Sequence, residues 1–193
     1  MKTSHDDKAG VAAGVVQAFQ NCLKENQIDP KDVIFVAHST TQATNALIEG
    51  DVAHVGVVGV GPKGVGGWLA KAQTNMKDIN LGSGRFIHLH NRFICDEKLS
   101  DQLVTDTIKS LVGEGAQVIV SSESYGVDDM ENETGICAIA KNMGLEATAA
   151  SEITKLYGLT RRTRTAAINA SILPKMLNTA NSTEQSVRSA GVE

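Results

Sequence analysis

"VIFVAHSTTQATNALIEG", residues 33–50, is the stretch on which the fold reading turns. Val33, Ile34, Phe35 and Val36 make a short apolar, largely β-branched run, which predicts a buried strand over residues 33–37. His38, Ser39, Thr40 and Thr41 follow at once, and "TTQATNALIEG" (40–50) predicts a short helix stopped by Gly50. A strand that hands over directly to a helix points unpaired helical N–H groups beyond the strand's carboxyl end. They carry the positive end of the helix dipole and favour an anion or a polarised carbonyl oxygen. His38 can donate or accept a proton near neutral pH. A cap needs one hydroxyl, and Ser39, Thr40 and Thr41 supply three. The pattern fits a ligand-gripping turn, and equally an ordinary cap beside a loop histidine. Asn45, polar among apolar neighbours on this helix, is expected to be buried and hydrogen-bonded.

The rest of the chain alternates in the same way. Val11, Val15, Phe19, Cys22 and Leu23 recur at helical spacing behind Asp6 or Asp7 as N-cap. Strands are predicted at 54–61, 117–122 and 146–151, and a strand or hairpin over 85–95. Helices are predicted at 100–115 behind the cap Ser100, at 128–144, and at 162–177 with a kink or break at Pro174. Short continuous apolar strands alternating with helices predict an α/β fold, a mainly parallel sheet with helices on both faces. The 193 residues read as one α/β domain, with the glycine-rich segment 59–84 as its candidate mobile part.

Composition narrows the function. Hydrophobic residues make up 41% and charged residues 21%, ordinary values for a globular domain, so a real core is expected. The net charge of −4 carries no basic surface, so neither nucleic acid nor an anionic membrane is an expected partner. Cys22, Cys95 and Cys137 are odd in number and far apart, which argues against a disulfide framework and for a reducing compartment. With a polar N-terminus and no membrane-length apolar run, the expected location is cytoplasmic.

Other motifs are weighed by their chemistry. "GVGPKGVGG" (59–67) lacks the Gly-Lys-hydroxyl ending of a P-loop, because Gly64 follows Lys63. It reads as a loop that needs unusual backbone angles. His88 and His90 are two apart and would share one side of a strand, with no third ligand evident, so no metal is expected. Ser124 and Tyr125 follow a strand and are expected to line the same sheet edge as His38. Arg161, Arg162 and Arg164 open the last long helix, where cations oppose the dipole. They read as a solvated cluster or as a grip on an anion. On either reading Arg162→Ala is expected to leave the stability of the chain nearly unchanged.

"VAHSTTQATNALIEG" resembles the His-Gly-Thr-Thr…Thr-Asn-Ala-Leu segment of the hydantoinase/oxoprolinase family. "SEITKLYGLTRRTRTAAINASILP" is similar to that family's later arginine–threonine stretch and its following helix. Two positions depart from the pattern: Ser39 stands where the family usually has glycine, and Glu123 where it usually has histidine. The resemblance implies a ribonuclease-H-like piece of an actin-like ATPase. It implies an enzyme that uses ATP and Mg to hydrolyse cyclic amides such as hydantoin or 5-oxoproline, with a second hydantoinase-type subunit; homo-oligomerisation stays open. The family's two phosphate loops are not found in these residues. The chain is therefore read as a fragment, inactive alone, that binds no nucleotide itself. The site residues implied are His38, Thr40 and Thr41 as catalytic groups. Ser39, Asn45, Ser124, Tyr125, Arg162 and Thr163 are the implied substrate-binding groups. An ATPase that activates another enzyme, or an interaction domain without activity, are the alternatives.

Overall fold

The computed structural model describes residues 10–36, 41–95 and 99–192. His38, Ser39 and Thr40, and the N-cap candidates Asp6 and Asp7, lie outside the described residues. The chain divides into two compact units, residues 1–43 with 175–193, and residues 44–174.

The smaller unit contains α1 (Gly10–Glu25), a single 3-10 turn at Pro30–Asp32, and the last part of α7 (Leu159–Ser189). Leu23, Thr183 and Val187 are buried within it. Val33–Val36 form no strand, contrary to expectation. Ile34 is 98% and Phe35 80% exposed. A β-branched run becomes a strand only where a neighbouring strand satisfies its backbone groups, and no described residue pairs with this one.

The larger unit is built on a four-stranded, wholly parallel sheet in the order β4-β1-β5-β6. Its strands are β1 (Val55–Val60), β4 (Leu89–Ile94), β5 (Val118–Glu123) and β6 (Glu146–Ala149). All six residues of β1 are buried, as a strand covered on both faces requires. On one face α4 (Asp101–Gly113) and α5 (Glu131–Asn142) pack Val104, Ile108, Leu111, Ile136 and Ala140 onto Val58, Val60 and Ile119. On the other face Ala166, Ala167 and Ala170 of α7 meet Val55, Val57, Val118 and Val120. The hairpin of β2 (Ile79–Gly82) and β3 (Arg85–Ile87) adds Ile79 and Ile87 to that cluster. The expected α/β fold with a parallel sheet and two covered faces is therefore what the chain adopts.

Connectivity fixes where a ligand would sit. From β1 the chain runs through α3 (Val65–Thr74) and the hairpin to β4 on one side. It then crosses to β5 on the other side, and passes through α5 to β6. The loops leaving β1 and β5 thus diverge, which opens a crevice between their carboxyl ends. α3 comes close to the sheet because Gly59 in β1 and Gly61 just after it face α3. A Cβ on Gly59 would lie 2.2 Å from Thr74 Oγ1, and one on Gly61 2.8 Å from Ala70 Cβ.

Other elements differ from the sequence reading in detail. α7 continues as helix through Pro174. The run 146–151 is a four-residue strand followed by the short helix α6 (Ala150–Ile153). α2 (Gln42–Glu49) forms as expected and ends at Gly50 with φ +74°. Its inward residue is Ala46, so Asn45 is exposed rather than buried.

Candidate functional site

The crevice between β1 and β5 holds a cleft of about 310 Å³. Pro62 and Gly66 contribute to it from the turn after β1 and the start of α3, and Leu69, Ala70 and Gln73 from α3. Ser124 and Tyr125 come from the turn after β5, and Tyr157 and Leu159 from the entry to α7. Ser124 sits over the end of β1: its N–H donates to the Val60 carbonyl at 3.2 Å. Its Oγ lies 3.6 Å from where a Cβ on Gly61 would be. Tyr125 is 75% exposed and has φ +61°, an uncommon backbone state for a non-glycine residue. Its carbonyl accepts from the Asp128 N–H at 2.8 Å, which holds the turn in that state. The Tyr157 hydroxyl donates to Asp128 Oδ1 at 2.6 Å, and that hydrogen bond, with the carboxylate's charge, raises the tyrosine's pKa.

Two buried charged residues clamp the Ser124–Tyr125 turn from behind. Glu133 is fully buried at the start of α5. Its Oε1 accepts the Glu123 N–H and its Oε2 the Ser151 N–H, each at 2.8 Å. Arg162 is fully buried in the first turn of α7. It donates through Nη2 to the Glu123 carbonyl at 2.5 Å and through Nη1 to the Leu156 carbonyl at 2.7 Å. The N–H and C=O of Glu123 are therefore each held by a different buried charge. Thr163, also fully buried, completes the support: its Oγ1 lies 2.7 Å from Ser122 Oγ and donates to the Leu159 carbonyl at 2.8 Å. Gly126 must be glycine, since a Cβ would fall 2.5 Å from Glu133 Oε1. The Glu123 side chain accepts from Asn132 at 2.9 Å, and burial raises its carboxyl pKa.

These positions correct two expectations. Arg162 and Thr163 face the interior, not a ligand or solvent, whereas Arg161 and Arg164 are exposed. The cationic misfit of Arg162 with the helix dipole is relieved by the carbonyls it binds. Stability is therefore expected to depend on Arg162. Of the residues singled out from sequence, Ser124 and Tyr125 lie together in the cleft. Thr41 and Asn45 are exposed on either side of the boundary between the units, and His38, Ser39 and Thr40 are outside the described residues.

Glu133 was not singled out, although a signal was present. The buried positions of α5 are Glu133, Ile136, Cys137 and Ala140, a single helical stripe. In α7, Arg162 and Thr163 extend the stripe Ala166, Ala167, Ala170 by one turn. A charged residue in phase with a buried stripe is a candidate internal clamp.

The glycine-rich turn lacks the Gly-Lys-hydroxyl ending of a P-loop, and packing accounts for one of its glycines. A Cβ on Gly67 would fall 1.7 Å from the Pro62 carbonyl oxygen, so this glycine lets the turn close on itself. That oxygen also accepts from the Cys95 thiol at 3.2 Å. Among the described residues no group of three or more His, Cys, Asp or Glu side chains could hold a metal ion. No helix among them is long and apolar enough to cross a membrane.

Comparison with known proteins matches this architecture. Two solved structures share the fold. One is described as acetone carboxylase in a nucleotide-free state, from work on ATP-dependent acetone carboxylation. It superposes with a TM-score of 0.64 at 13% identity, covering 96% of this chain and 30% of its own. The other is an ATP-dependent caprolactamase from Pseudomonas jessenii, with a TM-score of 0.63 at 17% identity, covering 97% of this chain and 30% of its own. The chain thus spans about 30% of the length of each. No curated protein matches the sequence. The model of the hydantoinase/oxoprolinase N-terminal region matches residues 1–144, most of the chain, and the chain belongs to that family.

Proposed function

We propose that this chain is part of an ATP-dependent hydrolase of cyclic amides, of the hydantoin or 5-oxoproline type, and that the β1–β5 cleft receives the ring. The family match over residues 1–144 is the observation that carries this reading. The cleft supports it. Leu69, Ala70 and Leu159 offer an apolar wall to the ring's CH₂ edge, and the Ser124 hydroxyl offers a donor to its amide edge.

An amide carbonyl is a poor electrophile, and its activation places negative charge on oxygen. Donors fixed in advance at that oxygen lower the barrier most. In this reading the Ser124 hydroxyl is such a donor, held in place by the clamps on Glu123. The first N–H groups of α3 sit beside it at Gly66, and that helix has no side-chain cap to occupy them. His38, with Thr40 and Thr41, is proposed as the acid/base and hydroxyl set, and Ser39 as a further substrate contact. Because the glycine-rich turn lacks the Gly-Lys-hydroxyl ending of a P-loop, the nucleotide and its Mg are assigned to parts of the enzyme outside this chain, and no step is routed through them here. A second hydantoinase-type subunit is the proposed partner.

The test is ADP release by the intact enzyme that carries this chain, supplied with Mg-ATP. Hydantoin or 5-oxoproline is expected to stimulate release in step with ring opening. ADP release indifferent to both compounds overturns the reading.

A further inference from the structure

The cleft proposed to receive the ring has a neighbour. A second depression of about 330 Å³ lies beside it, and Gln73, Tyr157 and Leu159 line both. Gln73 and Leu159 belong to the helices α3 and α7, whereas Tyr157 lies in the irregular segment 154–158 between α6 and α7. Tyr157 is thus the one part of the shared wall that no regular element positions.

Hydrogen bonds at both ends position it instead. The Leu156 carbonyl just before it accepts from Arg162 Nη1 at 2.7 Å, and its own carbonyl lies 3.5 Å from the same nitrogen. At the other end its hydroxyl donates to Asp128 Oδ1 at 2.6 Å. Asp128 is fixed in turn, because its N–H donates to the Tyr125 carbonyl at 2.8 Å. The tyrosine therefore reaches from the entry of α7 to the turn after β5, along the border of the cleft. Its side chain is largely exposed and belongs to neither core cluster, so burial does little to hold it. Immobilising an exposed side chain costs conformational entropy, and a hydrogen bond to a carboxylate offsets that cost.

We infer that Tyr157 is the wall that sets substrate size in this cleft, and that Asp128 is its positioning residue. Together they close the cleft off from the neighbouring depression and limit the group that the ring can carry. The inference rests on the reading that the cleft receives a cyclic amide. With Ser124 at the amide edge and Leu69, Ala70 and Leu159 at the carbon edge, a substituent on a ring carbon meets Tyr157, two residues before Leu159. The hydroxyl has one proton and gives it to Asp128, so Tyr157 acts through the bulk of its ring and not as an acid. Removing that ring joins the two spaces.

The test is amide-dependent ADP release by the intact enzyme. The unsubstituted ring, hydantoin or 5-oxoproline, is compared with the same ring bearing a benzyl group on carbon. The native enzyme is expected to prefer the unsubstituted ring. Tyr157→Ala should shift the ratio of kcat/KM at least about tenfold toward the benzyl compound, the scale on which an apolar pocket separates substrates by size. Tyr157→Phe and Asp128→Ala both release the ring; each should give part of that shift, and the double variant no more than either alone. Asp128→Asn keeps an acceptor for the hydroxyl and should restore the native ratio. Thermal denaturation accompanies the kinetics, because a merely structural role lowers stability without any gain on the larger substrate. An unchanged ratio in Tyr157→Ala, a Tyr157→Ala enzyme that does not fold, or additive effects of Tyr157→Phe and Asp128→Ala overturns the inference. Each of these outcomes leaves the cyclic-amide reading standing. That reading falls if neither unsubstituted ring stimulates the native enzyme, and the inference falls with it.

Discussion

Replacing Arg162 with alanine is the sharpest perturbation the structure offers. The guanidinium is fully buried and ties the Glu123 and Leu156 carbonyls at 2.5 and 2.7 Å, with the Tyr157 carbonyl further off at 3.5 Å. Hydrogen bonds to a charged group contribute about 1.5–3 kcal/mol each, and a buried acceptor left unpaired costs a similar amount. Two such bonds and the vacated volume place the loss at about 3–5 kcal/mol. For a chain of this size that is a fall in Tm of roughly 6–20 °C. Arg161→Ala and Arg164→Ala remove exposed side chains from the same turn and should stay within about 0.5 kcal/mol of the native protein. Urea denaturation followed by far-ultraviolet circular dichroism measures all three. An Arg162→Ala protein within about 1 kcal/mol of the native one would refute the clamp.

Other expectations follow from the same geometry. Glu133→Gln keeps the shape but puts an NH₂ where a backbone N–H must be accepted, and should cost about 2–3 kcal/mol in the same denaturation assay. Gly67→Ala forces the turn after β1 away from the Pro62 carbonyl and should cost about 1–3 kcal/mol, read as a lowered midpoint. Burial raises the Glu123 pKa, so this carboxyl favours the folded state at acid pH, and that contribution is lost as pH rises through its folded value. Glu123→Gln keeps an acceptor for Asn132, so its stability relative to the native protein should improve from acid to neutral pH; no change across that range would contradict the linkage. Calorimetric titration of the isolated chain with Mg-ATP should show no binding in the low micromolar range, because the glycine-rich turn lacks the Gly-Lys-hydroxyl ending of a P-loop.

Much of the fold was legible because local pattern and tertiary demand agree. β1 is an unbroken run of Val and Gly, and β5 opens on Val118, Ile119 and Val120; these residues are all buried in the sheet. α4 carries its own start signal, Ser100, whose hydroxyl accepts the Leu103 N–H at 3.3 Å. Val33–Val36 misled because strand formation needs a neighbour, and sequence alone does not name one. Of the site, Ser124 and Tyr125 were legible as polar residues at a strand end. Their supports were not. Arg162 looks in sequence like Arg161 and Arg164, and only its phase with Ala166 and Ala170 tells it apart.

The central claim is that the β1–β5 cleft receives the reacting amide, with Ser124 as a donor to it. The measurement that tests it most directly is kcat/KM for amide-dependent ADP release by the intact enzyme, native against Ser124→Ala. The account predicts a fall of at least about tenfold, equivalent to ~1.4 kcal/mol of lost transition-state stabilisation, with folding stability unchanged. An unchanged kcat/KM in a folded Ser124→Ala enzyme would contradict it.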